Sequence, residues 1–155
     1  MKDEYGGGLS TIVGICNETG SSAKLTKSHT WNGKVWKYPI APCIASGQRA
    51  ACLHVQVSES ETGSEGAIVY RVNNGDDKEF DVFLGWSTPG GSSNKVFVEC
   101  RDVDHWWASG SESYMLELIE KSDTISTDLG TNEIDVIGSI GQSVSPVVSI
   151  FIGVV

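Results

Sequence analysis

The segment RDVDHWW (101–107) sets Asp102, Asp104 and His105 within four positions, directly ahead of a tandem tryptophan. Two carboxylates and an imidazole at this density could hold a divalent cation, or Asp104 could orient His105 as a general base, with Cys100 close by. The spacing fits neither an EF-hand loop nor a zinc motif, and a polar turn ending a strand has the same composition. The sequence carries no GxSxG elbow, no HExxH and no glycine-rich phosphate loop leading into a helix. His29 and His54 fall on strand-like runs, where an imidazole bonded to a neighbour is the ordinary case. No catalytic residue, metal or cofactor is therefore assigned. Asp102, Asp104 and His105 remain the candidates of an alternative reading, an enzyme whose site is built from loops.

Tryptophan is the stronger signal. Four of Trp31, Trp36, Trp86, Trp106 and Trp107 lie at or beside expected turns rather than in strand centres. Indole combines a large apolar body with one polar N–H, which suits sugar faces, choline-like head groups and the membrane interface. The stretch HTWNGKVWKYP (29–39) adds His29, Lys34, Lys37 and Tyr38 to two of these rings. Trp31, Lys34, Trp36, Lys37, Tyr38, Trp86, Trp106 and Trp107 form the candidate ligand-binding set. Lys24, Lys27, Lys34 and Lys37 would draw such a rim toward anionic lipid, each contributing about 1 kcal/mol near a charged surface. The competing role is core packing. Trp86 ends the apolar run DVFLGW, and Trp106 and Trp107 cannot both face inward on an extended segment.

These side chains must be positioned by strands. Strand-like runs cover 11–17, 24–31, 47–58, 66–72, 79–86, 94–101, 132–140 and 146–155, several alternating apolar and polar residues. The connectors WNGK (31–34), SETGSEG (60–66), NNGDD (73–77) and STPGGSSN (87–94) carry the residues of tight turns, and Asn32-Gly33 reads as the turn of a hairpin. Only SESYMLELIEKS (111–122) has helical periodicity, with Ser111 as cap and Tyr114, Met115, Leu118 and Ile119 as its apolar stripe. The expected fold is all-β, an antiparallel β-sandwich of about eight strands with one short helix near 111–121. Residues 1–10 read as a flexible lead-in because of GGG, and 11–155 as a single β-sandwich domain.

Charge narrows the partners. The chain carries a formal −9, which argues against nucleic acid, since phosphate binding rests on an excess of Lys and Arg. Residues 1–58 hold six basic side chains against three acids, and 59–155 hold five against seventeen. The start MKDEYGGGLS does not read as a secretory leader and no apolar run reaches membrane-spanning length, so a cytoplasmic location is expected. Cys16, Cys43, Cys52 and Cys100 lack CxxC spacing and are expected as free thiols buried in strands. The run SPVVSIFIGVV (145–155) suits an internal strand, or else an edge through which two copies form a homodimer.

The order of HTWNG (29–33), KYPI (37–40), IASGQ (44–48), LHV (53–55), TGSEGAIVYR (62–71), GWSTP (85–89) and NKVFVECRDVDH (94–105) resembles the jasmonate-induced protein family of plants. The resemblance spans roughly residues 11–108. It implies a protein of leaf stress and defence, similar in character to aegerolysins, the small acidic β-sandwich proteins that recognise membrane sphingolipids. No catalytic residues come with it. The function expected is therefore non-enzymatic binding of a membrane lipid head group or a glycan through exposed Trp, Tyr and Lys side chains.

Overall fold

The structure, a computed structural model, describes residues 1–57, 63–107 and 110–155. The expected connector at 60–66 and the end of the expected strand at 47–58 lie partly outside the described residues, as does the side chain of Trp107. Two sheets face each other. One has six strands in the order β3 (Lys34–Val35), β5 (Gln48–Val55), β1 (Ser10–Glu18), β11 (Val147–Val154), β10 (Ile134–Ile140) and β9 (Ile125–Thr131). The other has five, β4 (Cys43–Ile44), β2 (Ala23–Asn32), β6 (Ser64–Asn73), β7 (Glu79–Thr88) and β8 (Lys95–Asp102). The β-sandwich is as expected, with eleven strands among the described residues in place of about eight.

Alternation builds the core between the sheets. Val13 and Ile15, Ile68 and Tyr70, Val82, Leu84 and Trp86, and Val148, Ile150 and Ile152 point inward from their strands and are buried together. The run SPVVSIFIGVV supplies β11, an internal strand held between β1 and β10. Its pairing with β1 is parallel, Ile12 opposite Val147 through Glu18 opposite Gly153, whereas the other strand pairs are antiparallel.

Three elements differ from expectation. β9 presents Ile125 and Leu129 to the outside, so no buried apolar stripe marked it. Its polar side chains do the holding: the backbone N–H groups of Val98 and Cys100 on β8 donate to Ser126 Oγ (3.0 Å) and Asp128 Oδ2 (2.7 Å). The outer edge of one sheet is thereby satisfied by side chains of the other, which blunts it against intermolecular pairing. Residues 1–10 contain a helical turn, α1 (Lys2–Tyr5), and give Ser10 to β1. Helix α2 (Ser111–Glu120) begins after Gly110, whose φ is 79°, and Ser111 does not cap it. The Ser111 hydroxyl instead donates to Trp106 O at 2.9 Å. Met115 and Ile119 are buried over the outer face of the five-stranded sheet, Leu118 packs at their flank, and Tyr114 remains exposed. Gly85 makes this seat possible, since a Cβ there would lie 2.5 Å from Ile119 Cδ1.

Asn32-Gly33 is not a hairpin turn. β2 pairs with β6 and β3 pairs with β5, so the chain passes at Gly33 from one sheet to the other. Asn-Gly supplies a positive φ in either setting, and the dipeptide alone does not distinguish a hairpin from a corner. Gly33 has φ 96°, and a Cβ would meet Val55 O at 2.5 Å and His54 Cε1 at 2.8 Å. The backbone thus rests directly on His54. That imidazole is buried, with Nδ1 2.9 Å from Ser64 Oγ and Nε2 3.2 Å from Thr30 Oγ1. Trp86 meets it edge-on at 5.3 Å between ring centroids and donates its indole N–H to Ser64 Oγ at 3.3 Å.

Two outcomes follow for stability. Gly33→Ala should cost at least about 2 kcal/mol in urea unfolding, and Gly20→Ala about 1 kcal/mol, because Gly20 has φ 81° but nothing within 4 Å of its Cβ position. Equal losses would show that the close approach at Gly33 contributes nothing. Burial also pushes the His54 pKa from 6.5 down to about 4, so between those values the unfolded chain binds a proton that the folded chain refuses. The neutral imidazole's contribution is complete above pH 6.5 and lost as pH falls toward 4. Relative to His54→Gln, the wild type should lose up to about 3 kcal/mol across that window. Parallel pH profiles of the two proteins would contradict this.

Candidate functional site

Immediately beyond the Gly33 corner, β3 leads into an aromatic edge where Trp36 and Tyr38 are half-buried and Lys37 is exposed. The Trp36 N–H donates to Leu53 O at 2.9 Å, prolonging the pairing with β5 by one bond. The backbone then reverses at Lys37, whose φ is 58°, and the Tyr38 N–H donates to Trp36 O at 2.6 Å. A positive φ at a non-glycine residue is uncommon and stores strain. Here it folds three consecutive side chains into one cluster. The Lys37 ammonium stands 5.9 Å from the Trp36 ring centroid and 5.5 Å from that of Tyr38, within cation–π range.

Helix α1 completes the cluster with two residues that the sequence reading did not select. Tyr5 meets Trp36 edge-on at 5.5 Å and donates its hydroxyl to Gln56 O at 3.2 Å. Glu4 accepts from Lys37 Nζ at 3.1 Å and from the Tyr38 hydroxyl. The Tyr38 hydroxyl, then Lys37, hold the Glu4 carboxyl below its usual range, and Glu4 raises both Lys37 and Tyr38. Lys37 is therefore cationic and Glu4 anionic at neutral pH, and the pair carries no net charge. The available signal for this contact was a tyrosine beside acids ahead of GGG, where glycine pointed instead to a loose segment.

The other expected binding residues are dispersed. Lys34 is exposed on β3, on the same side of the corner as Trp36. Trp31 is half-buried, packs beside α2 and meets His29 edge-on at 4.8 Å. Trp86 is 2% exposed and Trp106 0% exposed, so both are core residues and neither offers a face to a ligand. Trp106 sits beneath α2 against Phe83, at 4.7 Å between centroids. Trp107 belongs to the 3-10 turn His105–Trp107, and its side chain lies outside the described residues. Lys27 is drawn to the start of α2, donating to Trp106 O, Ser111 Oγ and Glu112 Oε1 at 3.0, 3.3 and 3.2 Å. Lys24 is exposed on β2.

The carboxylates of RDVDH serve a turn. Arg71 on β6 donates Nε and Nη2 to both oxygens of the buried Asp81 on β7, at 2.8 and 2.9 Å, and Nη2 also reaches Asp104 Oδ1 at 2.7 Å. The Asp104 N–H in turn donates to Asp81 Oδ2 at 2.7 Å. Asp104, with φ 64°, is thus fixed as the corner after β8 rather than aimed at His105. Asp102 and His105 are exposed, and burial pushes the Cys100 thiol up to about 12, so it is not a thiolate nucleophile at neutral pH. Among the described residues no group of three or more His, Cys, Asp and Glu is placed to hold a metal ion. The four cysteines are free thiols, Cys52 and Cys100 buried, Cys16 half-buried and Cys43 exposed. Among the described residues no helix is long and apolar enough to cross a membrane.

Comparison with known proteins places this architecture. The chain is 30% identical over 128 residues to the 23 kDa jasmonate-induced protein of Hordeum vulgare, covering 82% of this chain and 61% of that one. It is 28% identical over 131 residues to a jasmonate-induced protein homolog of Atriplex canescens, again covering 82% and 61%. The chain therefore spans about three fifths of the length of the curated relatives it matches. The crystal structure of the lipid binding protein Nakanori superposes with a TM-score of 0.89 at 28% identity, covering 97% of this chain and 74% of that one. The resemblance to jasmonate-induced proteins, carried by the ordered motifs between HTWNG and NKVFVECRDVDH, is thus borne out. With the Nakanori-like family model matching residues 1–154, the chain belongs to the Nakanori-like protein family.

Proposed function

We propose that this protein binds a membrane lipid head group, without chemistry, at the edge formed by Tyr5, Trp36, Lys37 and Tyr38. The observation that carries the reading is the neutral Lys37–Glu4 pair set among three aromatic rings. A zwitterionic head group matches both parts. Its ammonium suits the aromatic faces and Glu4, and its phosphate suits Lys37. An anionic surface matches less well, because Lys37 is already neutralised, Lys27 is engaged by α2, and the chain carries −9 overall. Membership of the Nakanori-like family, and the structural likeness to a lipid binding protein, support the same reading. Similarity to two jasmonate-induced proteins supports a place in plant stress or defence.

Sedimentation with vesicles tests this. The protein should pellet with vesicles of phosphatidylcholine and sphingomyelin, and the binding should persist at high salt because neither the zwitterionic head group nor the Lys37–Glu4 pair carries a net charge to screen. Trp36→Ala and Tyr38→Ala should each weaken it by roughly tenfold, with circular dichroism confirming the fold. Binding confined to phosphatidylserine vesicles and abolished by salt would overturn the reading. So would saturable binding on a glycan array with no vesicle binding at all.

A further inference from the structure

The two outer faces of the sandwich are treated differently. Helix α2 and Trp106 cover the five-stranded sheet, whereas the six-stranded sheet leaves Ile125, Leu129, Ile137, Val147 and Phe151 exposed. Within that bare face lies a groove of about 630 Å³, inside the range of about 300–1,000 Å³ usual for small-molecule sites. Strand register explains its form. Ala51 on β5, Gly14 on β1 and Ser149 on β11 stand side by side and make a low floor. The next outward row carries Phe151 beside Ile137 as a wall, with Arg49 at its other end.

Arg49 gives the groove a direction. Among the described residues its guanidinium has no ion-pair or hydrogen-bond partner, in a chain with twenty acids. No Asp or Glu lines the groove. Glu18, which accepts from Cys16 Sγ at 3.7 Å, stands past the groove on β1 and makes no ion pair with Arg49. An apolar trough with one unpaired planar cation at its end complements an extended apolar chain ending in a carboxylate, which guanidinium can grip with two parallel hydrogen bonds.

We infer that this groove is a binding site for a single-chain anionic amphiphile, a long-chain carboxylate whose tail lies against Ile137 and Phe151 and whose head meets Arg49. The site lies on the sheet face, separate from the Trp36 edge, and does not rest on head-group recognition there. Occupancy would replace water on a face that is otherwise unusually apolar for a protein surface.

Calorimetric titration with decanoate below its micelle concentration tests the inference, with decanol as the uncharged control. One decanoate should bind per chain. Arg49→Gln should weaken decanoate by about tenfold and leave decanol unchanged. Gly14→Leu should abolish both, because it fills the floor without disturbing the fold: a Cβ there meets only Val148 O, at 3.6 Å. Its unchanged melting temperature and unchanged vesicle sedimentation would separate this site from the aromatic edge. Absence of saturable decanoate binding, or binding indifferent to Gly14→Leu, would overturn the inference. A concentration-dependent dimer in light scattering that Gly14→Leu dissociates would overturn it too, because the face would then belong to a second copy of the chain.

Discussion

The contact on which the rest depends is the backbone of Gly33 lying against His54. The chain must cross from the five-stranded to the six-stranded sheet within one residue, and it can do so only where no side chain intervenes and φ is positive. The imidazole underneath is not free to yield, because Thr30, Ser64 and Trp86 hold it from three sides. Trp86 has its own requirement. A Cβ on Gly66 would fall 2.6 Å from its ring, so the indole fits only because β6 carries glycine opposite it. Gly33, His54, Ser64, Gly66 and Trp86 therefore form one unit that closes the sandwich and sets where β3 begins. Trp36, Lys37 and Tyr38 follow that point directly, so a packing constraint in the core fixes the position of this half-buried aromatic edge.

This arrangement changes the meaning of the residues that carry the family resemblance. In TGSEGAIVYR, Gly66 makes room for Trp86, Ala67 and Val69 underlie α2, and Arg71 grips Asp81. In GWSTP, Gly85 admits Ile119 and Ser87 donates its hydroxyl to Glu65 at 2.7 Å. RDVDH supplies Asp104 to the same Arg71 cluster. These motifs specify how layers meet. KYPI, by contrast, gives Lys37 and Tyr38 to the candidate edge, where they join Trp36 from the segment after β3 and Glu4 and Tyr5 from α1.

The architecture was legible wherever burial follows period two. β1, β8 and β11 bury one side of an alternating run, β6 and β7 are apolar runs buried on both sides because α2 and Trp106 cover their outer face, and turn residues bound them. β9 was hidden because its alternation is inverted: apolar Ile125 and Leu129 face out, while Ser126 and Asp128 face the edge of β8. Two-residue strands such as β3 and β4 leave no periodic trace at all. The candidate site was legible in part. Trp36, Lys37 and Tyr38 stood out by type and proximity, but the sorting of Trp86 and Trp106 into the core depended on glycine partners and on a helix from distant positions. Tyr5 and Glu4 were obscured by the glycines after them, and the charge of Lys37 is cancelled across 33 residues of separation. Composition registers two basic residues there; only the fold shows that Glu4 neutralises one of them, Lys37.

The central claim is that Trp36 stands at a lipid surface while Trp86 and Trp106 remain inside the protein. Quenching of tryptophan emission by vesicles containing brominated phosphatidylcholine tests it most directly, comparing the wild type with Trp36→Phe. The account predicts strong quenching of the wild type and near-complete loss of that quenching in Trp36→Phe, with the remaining emission unmoved. Equal quenching of the two proteins would contradict it, because another indole would then be the one that meets the lipid.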